Sequence, residues 1–351
     1  MFFSSAVRKR LFCSNSSLLC VRNNSVSDSL AQGKSEGLSK ILNNTRDYNT
    51  RQLMSALVVL RINESLSLDS SLLLTSLEAV DATSGTQGGE LAVTGANIVA
   101  RRLKRGLARD NQCESKIICS LLELSEPSWP QMHSVFIARA LRAVSLTAGT
   151  FWRDSILSKL IAEASRRERV SNYSVMDISE ILHSISTISE WADPAVSQPV
   201  SDFFQELVIE LLERQSYMKV ALSVTGKKTP QSITIQGLSN VAFAIDKMNK
   251  LFPQLSLDSV TSLIRNLIAN HTEPDAFQAC QPVHLVTLLR SITVEFISSD
   301  ELKGAKKLVN EMKRKKVLGH FDSDVMDETL SFLRERYVGN SKGMRFINSL
   351  S

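Results

Sequence analysis

The chain has 351 residues, 43% of them apolar and 22% charged, with a formal net charge of +5. That balance excludes a disordered or collagen-like polymer, and no run approaches the roughly 18 to 20 consecutive apolar residues that a membrane-spanning helix needs. Only 14 glycines and 8 prolines are spread over this length, so little interrupts helix formation.

Residues 1–27 contain Arg8, Lys9, Arg10 and Arg22, seven serines and no acid before Asp28. Basic, serine-rich and acid-poor is the composition of an organellar transit peptide, and the apolar stretches at 1–3 and 18–20 are too short for a secretory core. The expectation is a mitochondrial (matrix) address over 1–27; the plainer reading is a basic N-terminal tail. A polar linker over 28–49 follows. The leader carries four of the five net positive charges, leaving the body near +1. Nucleic-acid binding would therefore have to rest on local patches.

A helical phrase then recurs, with apolar residues at offsets 0, +4 and +7. Leu53, Leu57 and Leu60 fill it first, Ile178, Leu182 and Ile185 later, then Leu238, Ala242 and Ile245, and last Leu285, Leu289 and Ile292. Each set lies along one stripe of a helix. A second amphipathic stretch follows each phrase, so the repeating unit is a helix pair that must stack on its neighbours to bury its stripe.

In chain order the pattern predicts a first pair over 50–63 and 68–80. A loop over 82–90 comes next, then helices at about 91–108 and 114–124. Helices over 130–145 and 151–167 follow, the first with His133, Ile137 and Ala140 at the phrase offsets. Next come 175–188, 201–221 and, after a polar loop over 223–232, the last two phrases. The tetrapeptide Ser-Leu-Asp-Ser at 67–70 and again at 256–259 supplies a serine or aspartate helix cap before an apolar run in two units. Phrase anchors fall near 53, 96, 133, 178, 238 and 285, an irregular spacing that suits a degenerate array over 50–298. The remainder, 299–351, reads as basic capping helices whose first stripe is Leu302, Ala305, Leu308, Val309 and Met312. The predicted fold is all-α, an α-solenoid of stacked helix pairs.

Little in this chain points to catalysis. Gly85, Gly88 and Gly89 invite a phosphate-loop reading, but the stretch ends Gly-Gly-Glu where a Walker loop needs Gly-Lys-Ser/Thr. Cys113, Cys119 and Cys280 show no zinc-type spacing and read as small buried side chains. His133, His183, His271, His284 and His320 show no metal-binding spacing either. Asp322, Asp324 and Asp327 lie near a helix start, where acids are favoured. We therefore expect no enzyme, cofactor, metal or small-molecule substrate.

Two cation clusters lie outside the leader. Arg101, Arg102, Lys104, Arg105 and Arg109 occupy consecutive turns of one predicted helix. Lys303, Lys306, Lys307, Lys313, Arg314, Lys315 and Lys316 form the second, opposed by Glu311. Lysines and arginines that neutralise phosphates supply most non-specific nucleic-acid affinity, so both clusters are candidate RNA-binding residues. The plainer reading is solvated helix faces, and for the second cluster a capping helix that keeps the array's end polar. Arg166, Arg167 and Arg169 read as cations favoured at a helix C-terminus. No aromatic residue is interleaved with either main cluster, so base-specific readout is not expected.

The phrase in GLSNVAFAIDKM, echoed in DISEILHSIS, resembles the first helices of organellar helical-repeat proteins: the FAST-kinase-like, RAP-associated and octotricopeptide-type families. The resemblance covers about 50–295, without a C-terminal RAP-type module. Separately, GAKKLVNEMKRKKVLGHFDSD is similar to the second helix of one pentatricopeptide repeat, with Ala305, Leu308 and Met312 in matching places. These resemblances imply a part in organellar RNA metabolism; with the address expected of 1–27, the reading is a non-catalytic subunit of a mitochondrial RNA-processing, RNA-editing or ribosomal complex, with other protein subunits and RNA as partners. The alternative is a structural scaffold that makes protein contacts alone.

Overall fold

The computed structural model describes residues 53, 54, 57, 70, 71, 73–75, 77, 78, 85–107, 111–147, 154–190, 194–222, 232–255, 257–273, 275–277, 280–292, 299–317 and 323–348. The expectations for the leader, for the linker and for much of the first helix pair lie outside these residues. The chain divides into two compact units, 1–163 and 164–351. Among the described residues it is mostly helical, with very little strand.

In the first unit, α1 (Thr86–Lys104) packs against α2 (Asn111–Ser125), against the 3-10 segment Glu126–Gln131 and against α3 (Ser134–Ser145). The stretch expected to be a loop over 82–90 is largely the first turn of α1, entered through Gly85 at φ 53°. Gly88 and Gly89 are buried inside the helix. A Cβ on Gly89 would stand 2.6 Å from Met132 Cε and 2.7 Å from Ser128 Cβ, so the glycine is what lets the 3-10 segment come this close. The predicted helix start at 130 moves to 134 because Pro127 and Pro130 sit in that 3-10 segment. His133 is the N-cap of α3, its Nδ1 accepting from Val135 N–H at 3.3 Å. Leu53 and Leu57 of the first phrase are buried, as are Leu73 and Leu77 in the helix that follows it; Leu60 lies outside the described residues.

Helix α4 (Asp154–Ala164) ends three residues before the expected 167, and a single turn, α5 (Arg167–Val170), follows in the second unit. The second unit continues with α6 (Val175–Ile188), α7 (Pro194–Glu213), α8 (Ile235–Leu251), α9 (Asp258–Asn270), α10 (Pro282–Ile292), α11 (Ser299–Val317), α12 (Ser323–Arg336) and α13 (Ser341–Asn348). Alternate helices touch. α8 packs on both α6 and α10, and α9 on both α7 and α11. Sequential partners also pack, α6 on α7, α8 on α9, α10 on α11. Each of these helices thus shares its buried apolar side with more than one neighbour.

The phrase residues are the seam of these contacts. Ile178, Leu182, Ile185, Leu238, Ala242, Ile245, Leu285 and Leu289 are all buried, and each fully buried leucine or isoleucine side chain contributes about 1.5 to 3 kcal/mol. α6 also buries Ser179, Ser184 and Ser186. Their hydroxyls donate to the carbonyls of Met176, Glu180 and His183 at 2.7 to 2.9 Å, so no buried hydroxyl of the three is left unpaired. Ser174 and Asp177 start α6 with a reciprocal capping box, 3.1 and 3.0 Å.

Three expectations need correction here. The helix expected over 201–221 starts earlier, at Pro194, and ends at Glu213. Lys219–Val220 (β1) instead pairs in parallel with Ser232–Ile233 (β2), and Val220 also bridges to Thr272. Val220 is β-branched and buried, and donates and accepts backbone bonds with His271 and Glu273 (3.0 and 2.9 Å). Those strand bonds satisfy backbone groups that a helix would have satisfied differently. Second, the cap expected at 256–259 is absent, since α9 begins directly at Asp258 with Leu257 as N-cap and no side-chain bond. The aspartate acts through the dipole of the first turn instead. Third, Cys113 is exposed, while Cys119 and Cys280 are buried. The two residues on α2 are six apart, roughly 120° around the helix at 3.6 residues per turn, so one falls on the covered side and the other toward water.

Candidate nucleic-acid interface

The first cluster lies at the end of α1, and the helix stops sooner than its composition suggests. Gly106 adopts φ 67°, and the Gly106 and Leu107 N–H groups donate to the carbonyls of Leu103 and Arg102, both at 3.0 Å. That pair of bonds is the Schellman closure, which needs a left-handed residue that glycine occupies without a Cβ penalty. Arg101, Arg102 and Lys104 therefore form the last turn of α1 and Arg105 is its C-cap. Arg109 lies outside the described residues. Arg101 and Arg102 are half-buried and Lys104 and Arg105 are exposed, with Leu107 exposed beside them. The structure thus gathers four of the five cations at one helix end, where the dipole favours them; nothing about the helix itself requires a ligand to explain their presence.

The second cluster is divided among different tasks. Lys307 donates to the last carbonyls of α9, Ile268 at 3.1 Å and Ala269 at 2.7 Å, which caps that helix. Burial pushes the Lys307 ammonium below its usual range, and the neighbouring Lys303 adds to the effect. Lys303 donates to Asn270 Oδ1 at 2.6 Å at the same helix end. Arg314 makes a forked pair with Glu311, one bond of 2.8 Å, and the Lys315 side chain is 7% exposed with Nζ 3.8 Å from the same carboxylate. Lys306 and Lys313 are exposed. Lys316 lies on α11. Six of the seven cations that read as one line are therefore, in space, a capping pair on α9 (Lys303, Lys307), an ion-pair group around Glu311 (Arg314, Lys315) and two outward lysines (Lys306, Lys313).

Arg166, Arg167 and Arg169 do not share one helix end. Arg166 is the N-cap of α5, Arg167 its first residue, and Arg169 is buried within it.

Aromatic and cationic groups make contacts that the sequence patterns did not anticipate, one of them at His183, named above only for lacking metal-binding spacing. His183 on α6 stacks against Phe243 on α8, ring centroids 5.0 Å apart at 21°. Lys247 Nζ sits 4.7 Å from the Phe243 centroid and 2.7 Å from Glu190 Oε1. Arg290 on α10 covers the Phe332 ring of α12 at 5.2 Å. His183, Phe243 and Arg290 each stand five residues after the first apolar position of their phrases, a register that would have found them. The Lys247–Phe243 contact lies within α8 and the Arg290–Phe332 contact joins α10 to α12, both at cation–π distance.

Among the described residues no three His, Cys, Asp or Glu side chains converge on a point where a metal could sit, and no helix is long and apolar enough to cross a membrane. Cys280 is held away from reactivity: burial pushes its thiol up to about 11 despite Lys315 nearby. No protein-family model, curated protein or solved structure matches this chain.

Proposed function

We propose that this chain is a non-catalytic subunit of a mitochondrial RNA-handling assembly, an α-solenoid whose work is to hold protein partners. The observation that supports this reading is the packing of alternate helices in the second unit, α8 on α6 and α10, α9 on α7 and α11. A body that grows by adding helix pairs offers long solvent faces rather than an enclosed reaction centre. The engagement of Lys303, Lys307, Arg314 and Lys315 with their own helices favours protein scaffolding over RNA binding for the C-terminal region.

Direct RNA contact is the second reading, favoured by one feature: Arg101, Arg102, Lys104 and Arg105 gathered on the final turn and cap of α1. The acid-free, arginine- and serine-rich composition of 1–27 supports the mitochondrial address.

Gradient sedimentation of the tagged chain from isolated organelles tests the scaffold role. Recovery inside the organelle in a fraction far heavier than one chain is expected; recovery as a free monomer, or outside the organelle, defeats it. The RNA reading is decided by binding of single-stranded RNA to the purified chain across a salt series. Glutamine at 101, 102, 104 and 105 should flatten the log–log salt slope by about 3, at roughly 0.7 per phosphate contact. An unchanged slope removes this patch from RNA contact.

A further inference from the structure

The outward face of α7 departs from the rest of its surroundings. Asp202, Glu206, Ile209 and Glu213 recur at intervals of four, three and four, so they form one stripe along the helix, and all four are exposed. The opposite face, Val200, Phe203, Phe204, Leu207 and Leu211, is buried. Ile209 is 56% exposed in the middle of the acids, and Tyr217, just past the helix end, is 67% exposed.

Two features of this stripe run against what the helix itself prefers. Acids are favoured in the first turn and disfavoured in the last, yet the first turn of α7 has none, and Glu210 and Glu213 stand at its C-terminal end. Four acids spaced three and four apart also repel one another, and α7 carries no lysine or arginine. Among the described residues Gln198 Nε2 donates to Asp202 at 2.7 Å, and Arg214, beyond the last residue of the helix, is committed to Glu210 and to the Ser171 and Tyr173 carbonyls. A large aliphatic side chain in the centre of a surplus of one charge is the complement of a cationic amphipathic segment, whose arginines or lysines flank an apolar ridge.

We infer that the exposed face of α7 is a docking surface for a basic amphipathic helix of a partner protein, with Ile209 and Tyr217 against its apolar side and Asp202, Glu206 and Glu213 against its cations. This rests on the scaffold reading of the chain and names the chemistry of one partner. Charge complementarity selects that occupant, because a polyanion such as RNA is repelled by this face.

The test uses the full chain and two synthetic peptides, one helical with arginine on one face and leucine on the other, one of equal charge with serine in place of leucine. Anisotropy titration at moderate salt should show the amphipathic peptide bound at least about tenfold more tightly than its serine counterpart. Ile209→Ser and, separately, the pair Glu206→Gln and Glu213→Gln should each weaken the amphipathic peptide by about tenfold. All three positions are exposed, so circular dichroism and the unfolding midpoint should match the parent. Equal binding of the two peptides, or Ile209→Ser binding like the parent, overturns the inference. Should that happen while the chain still sediments with its assembly, only the α7 surface fails and the scaffold role stands.

Discussion

Lys307 on α11 places its ammonium 2.7 Å from the carbonyl oxygen of Ala269, the next-to-last residue of α9. One of the cations that reads as a binding candidate is thereby the C-terminal cap of a neighbouring helix. It meets the dipole and two carbonyls that have no partner inside their own helix.

Replacing that ammonium should cost stability. Lys307→Met keeps most of the side-chain stem and removes the bonds to Ile268 and Ala269; a loss of about 1 to 2 kcal/mol is expected in urea unfolding. Lys306→Met, one residue away and exposed, should change less than about 0.5 kcal/mol. Equal effects at both positions would mean that the capping contact contributes nothing.

His284 makes stability depend on acid. Its Nδ1 accepts from the Gln281 N–H at 3.2 Å at the start of α10, and burial holds its pKa below the ordinary 6.5. A base whose folded pKa is depressed binds fewer protons when native, so this contribution is fully present above about pH 6.5 and lost as pH falls through the folded value. Denaturant midpoints taken at pH 7.5 and 5.5 should drop more for the parent than for His284→Asn, which retains an acceptor but does not titrate. The same drop in both chains would assign the acid sensitivity elsewhere.

Gly89→Ala places a methyl carbon 2.7 Å from Ser128 Cβ, where the contact is not a flexible chain end. Alanine favours a helix interior by about 1 kcal/mol over glycine, yet overpacking typically costs 1 to 3 kcal/mol. A net loss is expected, with the near-ultraviolet signal of Trp129 altered because this buried ring lies in the same 3-10 segment. A variant more stable than the parent would show that the segment shifts freely.

Thiol chemistry should separate the cysteines of the helical body. Mass-mapped alkylation at pH 8 should label exposed Cys113 rapidly and Cys280 only after unfolding, since Cys280 is buried with its thiol pushed to about 11 and the thiolate is the reactive form. Comparable native rates at both positions would contradict the burial of Cys280.

Period and composition alone predicted the helical class, and in the second unit the phrase residues from Ile178 to Leu289 became the buried seam because a stripe at 3.6-residue spacing has no other way to leave water. Several ends were not legible, for local reasons. Positive φ at Gly106 stops α1 at a residue whose neighbours all favour helix. Val220 finds strand partners at Ile233 and Thr272 that lie far along the chain. Gly89 looks like a loop residue until its neighbours Met132 and Ser128 across the packing are known, and Gly88 is buried beside it in the same helix.

Charge shows the division most clearly. Sequence by itself determined that cations gather at 101–105 and 303–316, and that the α7 stretch carries acids and no base, because these are facts of composition along the chain. Only tertiary structure decided what each charge faces. Lys307 meets helix carbonyls, Arg314 and Lys315 meet Glu311, and Glu206 and Glu213 face water beside Ile209. The reason is physical: the energy of a charge is set by the groups within a few ångströms and by its access to water, and the packing of α11 on α9, not the order of residues in α11, sets that neighbourhood.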